Sequence, residues 1–554
     1  MKVYNSYTEE KWSIIKTTPY LEKCRNRTIE RANDHIVTPP PAIKFSDLHL
    51  FATTGDRSRY EAAYFEINNR VDNTFVAYML TGDEKYLNNL ADEIWNLCNI
   101  ESWALPAHVK ETADMDYRHG FLELVSCNVG RRLGEIYALV GDKLPELVAR
   151  RMKHEVRERI IKPYMNPEYT FGWYHGESNW AAVCIAGVLG AFLYFAEEEE
   201  IKRELPRMIE TAECYLRGFD EEGCCKEGYG YWSYGFRHFC AFAEMLNIYT
   251  NGEKNYFKEP KVHAIAKFQE NMAINESQSI RFSDCDGAFA PQVHLSQFLK
   301  KIYPDVQIPS IPAPQSPIEF DLLCWIEPEF AISEMKPESK IYQINQWFIH
   351  RGEKYNFVCK AGCNDEPHNH NDVGSFMISK GGYITFTDPG GGEYTRQYFG
   401  PERYTVLEPS ARSHSLPIIN GEYEVKKRGM STIYEEGPGK YAFSMENAYD
   451  IPTLKSLKRS FVCTDDEVIL TDTYTLTEDP TSIVERFVTL VEPKIEEGRV
   501  YVGETVFEYD KNLFTLELNT DTCVRKGKKK ETLYMLDLTP KTIAKEMEFT
   551  FKFK

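Results

Sequence analysis

The sequence predicts an α+β multidomain chain: an N-terminal (α/α) toroid or helical array followed by a C-terminal antiparallel β-sandwich. Three observations carry this. The chain has 554 residues, too many for one compact core. Apolar residues recur at three- and four-residue steps up to about residue 300 and alternate beyond about 340. A Pro-rich stretch, "YPDVQIPSIPAPQSPIEF" (Tyr303 to Phe320), separates the two patterns and reads as a linker. The expected divisions are 1–300, 301–339 and 340–554.

Taken in order, "FEINNRVDNTFVAYMLTGDEKYLNNLADEIWNLCNI" and "LELVSCNVGRRLGEIYALVGDKLPELVARRMKHEVRERIIKPY" read as helices joined by short turns. "SNWAAVCIAGVLGAFLYFAEEEEIKRELPRMIETAECYLRGF" adds two more. Its apolar part, Trp180 to Ala196, is slightly short for a membrane span and ends in "EEEE", so it reads as a buried helix. No repeat of fixed period is visible, which disfavours a regular solenoid. In the second half, "GSFMISKGGYITFTD" predicts a hairpin around Gly381-Gly382, and "LPIINGEYEV" turns at Asn420-Gly421. "RSFVCTDDEVILTDTYTL" and "TIAKEMEFTFKFK" supply further paired strands.

Composition narrows the function. Net charge is −19, which excludes the broad basic face that nucleic-acid binding needs, though not an anionic small substrate. Aromatic residues make up 13%, enough both to fill cores and to line a carbohydrate cleft. The start, "MKVYNSYTEEKWSIIK", lacks the apolar core of a signal peptide, and the 14 cysteines form no CxxC pair. The expectation is therefore a cytoplasmic protein with reduced thiols, no membrane partner, and an oligomeric state left open.

The densest chemistry lies in "CNDEPHNHNDVGSF". His370 there, Asp388 in "TDPGGGEY" and His414 in "SARSHSLPIINGEY" are 18 and 26 residues apart. Two imidazoles and a carboxylate make a ligand set for one divalent metal, zinc or manganese. Read structurally instead, His368 and His370 bond loop carbonyls, Asp388 opens a turn before Pro389, and His414 lies at the surface. Spacing alone does not separate the readings.

The order of segments adds a resemblance. "HNHNDVGSFMISKGGYITFTDPGGGEY" followed by "SHSLPIINGEYE" resembles the β-domain signature of the heparinase II/III-like polysaccharide lyases. "YMLTGDEKYLNNLADEIWNLCNIESWALPAH" is similar to that family's early toroid helices, and "ESNWAAVCIAGVLG" and "EGYGYWSYGFRHF" to its catalytic segments. The likeness spans residues 50 to 430. One departure is Ser415 after His414, where the family usually has Asn.

The resemblance implies a carbon–oxygen lyase that cuts uronic-acid glycans by β-elimination, with glycosaminoglycans such as heparan or chondroitin sulfate or hyaluronan first and alginate second. It implies a mainly structural metal on His370, Asp388 and His414. It implies Asn179 as a neutraliser of the substrate carboxylate, Tyr231 as proton donor, His368 as second neutraliser or proton partner, and His175 as base for one uronate epimer. If the segment around His175 is helical, His175 and Asn179 share a face; Ser178 or Asn179 also reads as a helix cap. Glu177, Trp180, Tyr229, Tyr234, Arg118, His119 and Arg396 are candidate substrate contacts, with Arg57, Arg59 and Arg403 as further basic groups. Two readings compete: a toroid glycoside hydrolase using Asp114 or Asp116 in "DMDYRH", which lacks an evident second acid, and a non-catalytic glycan-binding protein.

Overall fold

The computed structural model describes residues 4, 8–308, 314–329, 338–366 and 368–554. Residues 309–313 and 330–337, inside the expected linker, lie outside the described residues. The chain divides into two compact units. One comprises Met1–Phe219, Ser233–Ala266 and Pro291–Glu334; the other comprises Asp220–Trp232, Lys267–Ala290 and Met335–Lys554.

The first unit is helical. Its longer helices include Ser58–Thr81, Glu84–Cys98, Leu124–Val140, Asn179–Phe195 and Glu198–Arg217. The Asn179–Phe195 helix is buried at every position except Trp180, as its unbroken apolar run requires. Glycines set how closely it meets the Leu124–Val140 helix. A Cβ on Gly187 would stand 2.4 Å from the Cys127 backbone, and one on Gly134 would stand 2.7 Å from the Tyr194 ring. The contacts advance together along both helices, so the two run parallel with their N-termini at one end of the unit. No helix among the described residues is long and apolar enough to cross a membrane.

The second unit is built on antiparallel sheets. The five strands from Lys340–Tyr342 to Tyr383–Phe386 form a meander in sequence order. An eight-stranded sheet centres on Leu454–Cys463, Val468–Leu476 and Glu546–Phe553, and a four-stranded sheet pairs Pro417–Ile419 with Ile483–Thr489. Both turns expected from sequence are present. Lys380 pairs with Tyr383 across Gly381 (φ 59°) and Gly382 (φ 80°), and Ile419 bridges Glu422 across Asn420 (φ 55°) and Gly421 (φ 80°). Two successive positive φ angles match the twist of adjoining strands, which is why Gly-Gly and Asn-Gly occur there. Val468–Leu476 alternates buried and half-buried residues at period two. The core is aromatic: Phe376, Phe386, Phe487, Phe507, Phe551 and Phe553 pack edge-on, tilted or stacked. Inside it, Arg459 grips Asp472 with two bonds of 2.8 and 2.6 Å. All 14 cysteines are free thiols, and all but Cys463 are buried.

The loop that carries His368 and His370 is anchored by buried acids. Lys360 Nζ pairs with Asp372 at 2.7 Å. Glu424 accepts from the Asn364 amide and the Val373 N–H, each at 3.0 Å. Burial, and then the charge of Asp372, push the Glu424 carboxyl up to about 8. The folded protein thus holds a proton that the unfolded chain releases above the ordinary value of 4.5. Stability from this group is full below that value and is lost as pH rises toward 8, with a slope of up to about 1.4 kcal/mol per pH unit. Glu424→Gln should flatten that slope, as read from urea unfolding across the interval; an unchanged slope would refute the assignment.

Candidate active site and metal centre

In the second unit, Asp284 is the hub. It is a fully buried carboxylate in the segment "SDCDG". Its Oδ1 accepts from Tyr398 Oη at 2.5 Å, Arg403 Nη2 at 2.7 Å and His370 Nε2 at 3.0 Å. Its Oδ2 accepts from His368 Nδ1 at 2.8 Å. Burial alone would push this carboxyl up; the hydrogen bonds from His368 and His370 and the Arg403 charge outweigh it and hold the group far below the usual carboxylate range.

Beside the hub stand Tyr231 and His368, which sequence reading singled out, and Tyr394, which it did not. Tyr231, in the first turn of the Tyr229–Tyr249 helix, stacks on His368 with ring centroids 4.1 Å apart. Its hydroxyl lies 3.1 Å from His368 Nδ1 and 2.5 Å from Tyr394 Oη. A lone pair on Nδ1 would repel Asp284, so Nδ1 carries a hydrogen and donates it. The Tyr231 oxygen accepts the weaker arm of that bond and shares its own proton with Tyr394. His368 Nε2 faces Glu227 Oε2 at 3.5 Å. Burial, then Tyr394 and Asp284, push the Tyr231 hydroxyl well above the usual tyrosine range, so it stays protonated. His368 has φ 54°, a left-handed conformation uncommon outside glycine. Such strain of order 1 kcal/mol is held where surrounding contacts fix a functional geometry.

His370, Asp388 and His414 are all buried, and one ligand atom from each falls within 4.8 Å of the others. His370 gives its Nε2–H to Asp284, and His414 gives its Nδ1–H to the Ser410 carbonyl at 2.9 Å. The remaining nitrogens, His370 Nδ1 and His414 Nε2, face each other at 3.4 Å. Asp388 Oδ2, without a hydrogen-bond donor although buried, lies 3.2 Å from His414 Nε2. Two imidazole lone pairs and a carboxylate oxygen converging in a closed space fit a cation, and the outer hydrogen bonds fix both tautomers for ligation. These three residues could hold a divalent metal ion.

Of the other sequence candidates in this unit, Tyr229, Arg396 and Arg403, the last touches the cluster. Tyr229 is buried on Trp232 and Phe289 and is a packing residue. Arg396 is exposed. Arg403 is not open to substrate, because Asp284 and the Tyr398 ring engage it. Tyr394, Tyr398 and Asp284 were not singled out by sequence.

In the helical unit, Asn179 is buried in the first turn of the Asn179–Phe195 helix, and Ser178 is its N-cap without a side-chain hydrogen bond. His175 does not share a face with Asn179. It ends the short helix Gly172–His175, Gly176 breaks the run in extended conformation, and the exposed imidazole points toward Glu210 at 3.9 Å. Glu177 is exposed, and Trp180 is half-buried. Tyr234 is half-buried, with its ring against His238 and Arg237. Arg118 is a buried latch, bound to Glu101 and the Lys110 carbonyl, and His119 meets the Glu101 carbonyl at 3.1 Å. Arg57 pairs with Glu61, and Arg59 is exposed.

No family model matches the chain, and no curated protein does. Solved structures do. Heparan sulfate lyase HepC (mutant) from Pedobacter heparinus matches at TM-score 0.63 and 14% identity, over 95% of this chain and 82% of that one. A heparinase III structure matches at 0.62 and 10% identity, over 98% and 93%. The Streptomyces coelicolor A3 chondroitin AC lyase in complex with chondroitin sulphate matches at 0.56 and 10%, over 98% and 81%. At this identity the likeness is one of fold: the chain has the architecture of these lyases, a helix-rich N-terminal toroid followed by C-terminal antiparallel sheets.

Proposed function

We propose that the chain is a polysaccharide lyase that cleaves uronic-acid glycans by β-elimination, glycosaminoglycans first and alginate second. The observation that carries this is the Tyr231 hydroxyl, held between His368 Nδ1 at 3.1 Å and Tyr394 Oη at 2.5 Å, in a chain with the fold described above.

Elimination removes the proton at C5; its electrons form the C4=C5 bond, and the C4–O bond breaks toward the leaving oxygen. That oxygen needs a proton, and the ionised carboxylate beside C5 must be neutralised before C5 becomes acidic enough. A phenol kept protonated by its surroundings suits the donor role, so Tyr231 protonates the leaving oxygen, and Tyr394 orients the hydroxyl that does so. His368, aligned by Asp284, supplies an N–H to the substrate carboxylate. As the Tyr231 proton leaves, the Tyr231 oxygen takes up the C5 proton in its place, so the residue begins and ends each turnover as the phenol. His370, Asp388 and His414 would hold zinc or manganese, whose charge offsets Asp388 and fixes the loop bearing His368. That loop belongs to the protein's proton machinery only through His368.

The hydrolase reading loses support from Asp114, whose carboxylate caps the Met115–His119 helix by accepting from the Asp116 and Tyr117 N–H groups. A panel of uronans assayed for the ultraviolet absorbance of a conjugated unsaturated uronate decides between the readings: elimination gives the signal, and hydrolysis does not. Binding without any product would support a glycan-binding protein. For the metal, chelation should lower Tm and zinc or manganese restore it, a stabilisation of about 2.7 kcal/mol at a hundredfold excess over Kd. His414→Ala should lose that increment; an identical increment in the variant would place the ion elsewhere.

A further inference from the structure

We propose that His108 is a substrate contact of the helical unit, one that recognises an anionic oxygen of the sugar, carboxylate or sulfate, beside the Trp180 ring. The proposal rests on the lyase reading for its choice of ligand; its geometry stands independently.

The argument begins with Glu123, which is completely buried. It is the N-cap of the 17-residue helix Leu124–Val140, and its Oε1 accepts from the Val125 and Ser126 N–H groups at 3.0 and 2.9 Å. Two backbone donors and the positive end of a helix stabilise negative charge at this position. Its other oxygen faces His108 Nδ1 at 2.6 Å, so Nδ1 carries a proton and the ring is held at a fixed angle. A buried charge calls for a compensating one, and His108 is its ion-pair partner.

That leaves Nε2. It has no hydrogen-bond partner among the described residues, and the side chain is 14% exposed. The other acid near the ring, Glu61, is engaged by Arg57. With Glu123 paired to the ring and Glu61 to Arg57, the Nε2 edge of the ion-paired imidazole faces outward, as a donor to an incoming anion.

What lies beside it is suited to a sugar. Trp180, the one residue of its helix that is not buried, meets the His108 ring edge-on at 4.8 Å. Trp180 also lines a cavity of about 400 Å³ whose walls include Tyr117, Phe121, Phe171 and Trp173. Because the Leu124–Val140 and Asn179–Phe195 helices run parallel, Glu123, Asn179 and Trp180 gather at the same end of the unit. An aromatic platform with a charged donor at its rim is the arrangement that holds a pyranose by its face and its acidic substituent.

Two measurements test this. With histidine Cε1 labelled, inorganic sulfate or glucuronate should move the His108 resonance, assigned by its loss in His108→Gln, in a saturable way. In a Tyr231→Phe background, His108→Ala should weaken binding of tetrasaccharides by about ten- to a hundredfold. A loss confined to sulfated chains identifies sulfate as the partner; an equal loss on unsulfated chains identifies the carboxylate. A resonance unmoved by both ions, or unchanged affinity for both chain types in the folded variant, overturns the proposal. A moving resonance with no unsaturated product from any uronan leaves the subsite standing and sinks the lyase reading instead.

Discussion

Tyr231→Phe lowers kcat by about 10²- to 10⁴-fold on whichever uronan the protein cuts, with KM and Tm nearly unchanged. The reasoning is local. Phenylalanine keeps the ring that stacks 4.1 Å from His368 and removes only the hydroxyl. That hydroxyl bonds to His368 and Tyr394 and to nothing that braces the fold. Its proton is retained because burial and two electron-rich neighbours disfavour the phenolate. A ground-state contact would show in KM; a proton delivered only as the C4–O bond breaks shows in kcat. Steady-state rates on the best uronan, with thermal unfolding alongside, make the comparison. Full activity in the variant would remove Tyr231 from the donor role and pass the question to Tyr394.

Asp284→Asn is expected to damage three properties at once. The carboxylate receives Tyr398, Arg403, His370 and His368. An amide of the same size brings its own N–H against some of these donors and leaves the Arg403 guanidinium without a counter-charge. Removing one partner of a buried ion pair costs about 3–5 kcal/mol, which urea unfolding would register. His370 loses the acceptor that fixes its tautomer, so metal affinity, measured by competition with a chromophoric chelator, should fall about 10- to 100-fold. His368 loses its alignment, so kcat falls as well. Because lost stability alone could account for a slower enzyme, the metal titration is the decisive reading. A variant with wild-type metal affinity would show that Asp284 does not position His370.

How much of this could be read from the sequence follows the range of the interaction. The hairpins at Gly381-Gly382 and Asn420-Gly421 were legible because a two-residue turn dictates its own residues. The buried Asn179–Phe195 helix was legible from its unbroken apolar run. His370, Asp388 and His414 were suggested by donor chemistry, and the pairing of Tyr231 with His368 by resemblance. Asp284 was not legible. It stands 84 residues before His368 and 86 before His370, in a short acidic turn like many others, and only the tertiary fold brings it under the imidazoles. The signal available was one of balance: a loop with two histidines calls for an acid, and "SDCDG" precedes it. Arg118 and Arg403 illustrate the converse. Sequence displays a charge but not its partner, and here Glu101 and Asp284 already engage them. His175 would share a face with Asn179 only in a continuous helix, and Gly176 interrupts it.

The thiols carry a consequence for handling the molecule. With no covalent cross-link and thirteen of fourteen sulfhydryl groups sealed in its interior, the native state resists air oxidation, since the thiolate is the species that reacts. Once heat or denaturant opens the chain, every one of those groups is free to form mispaired intermolecular bridges. Recovery after unfolding will therefore depend on added reductant, with refolding yield falling as protein concentration rises when it is omitted.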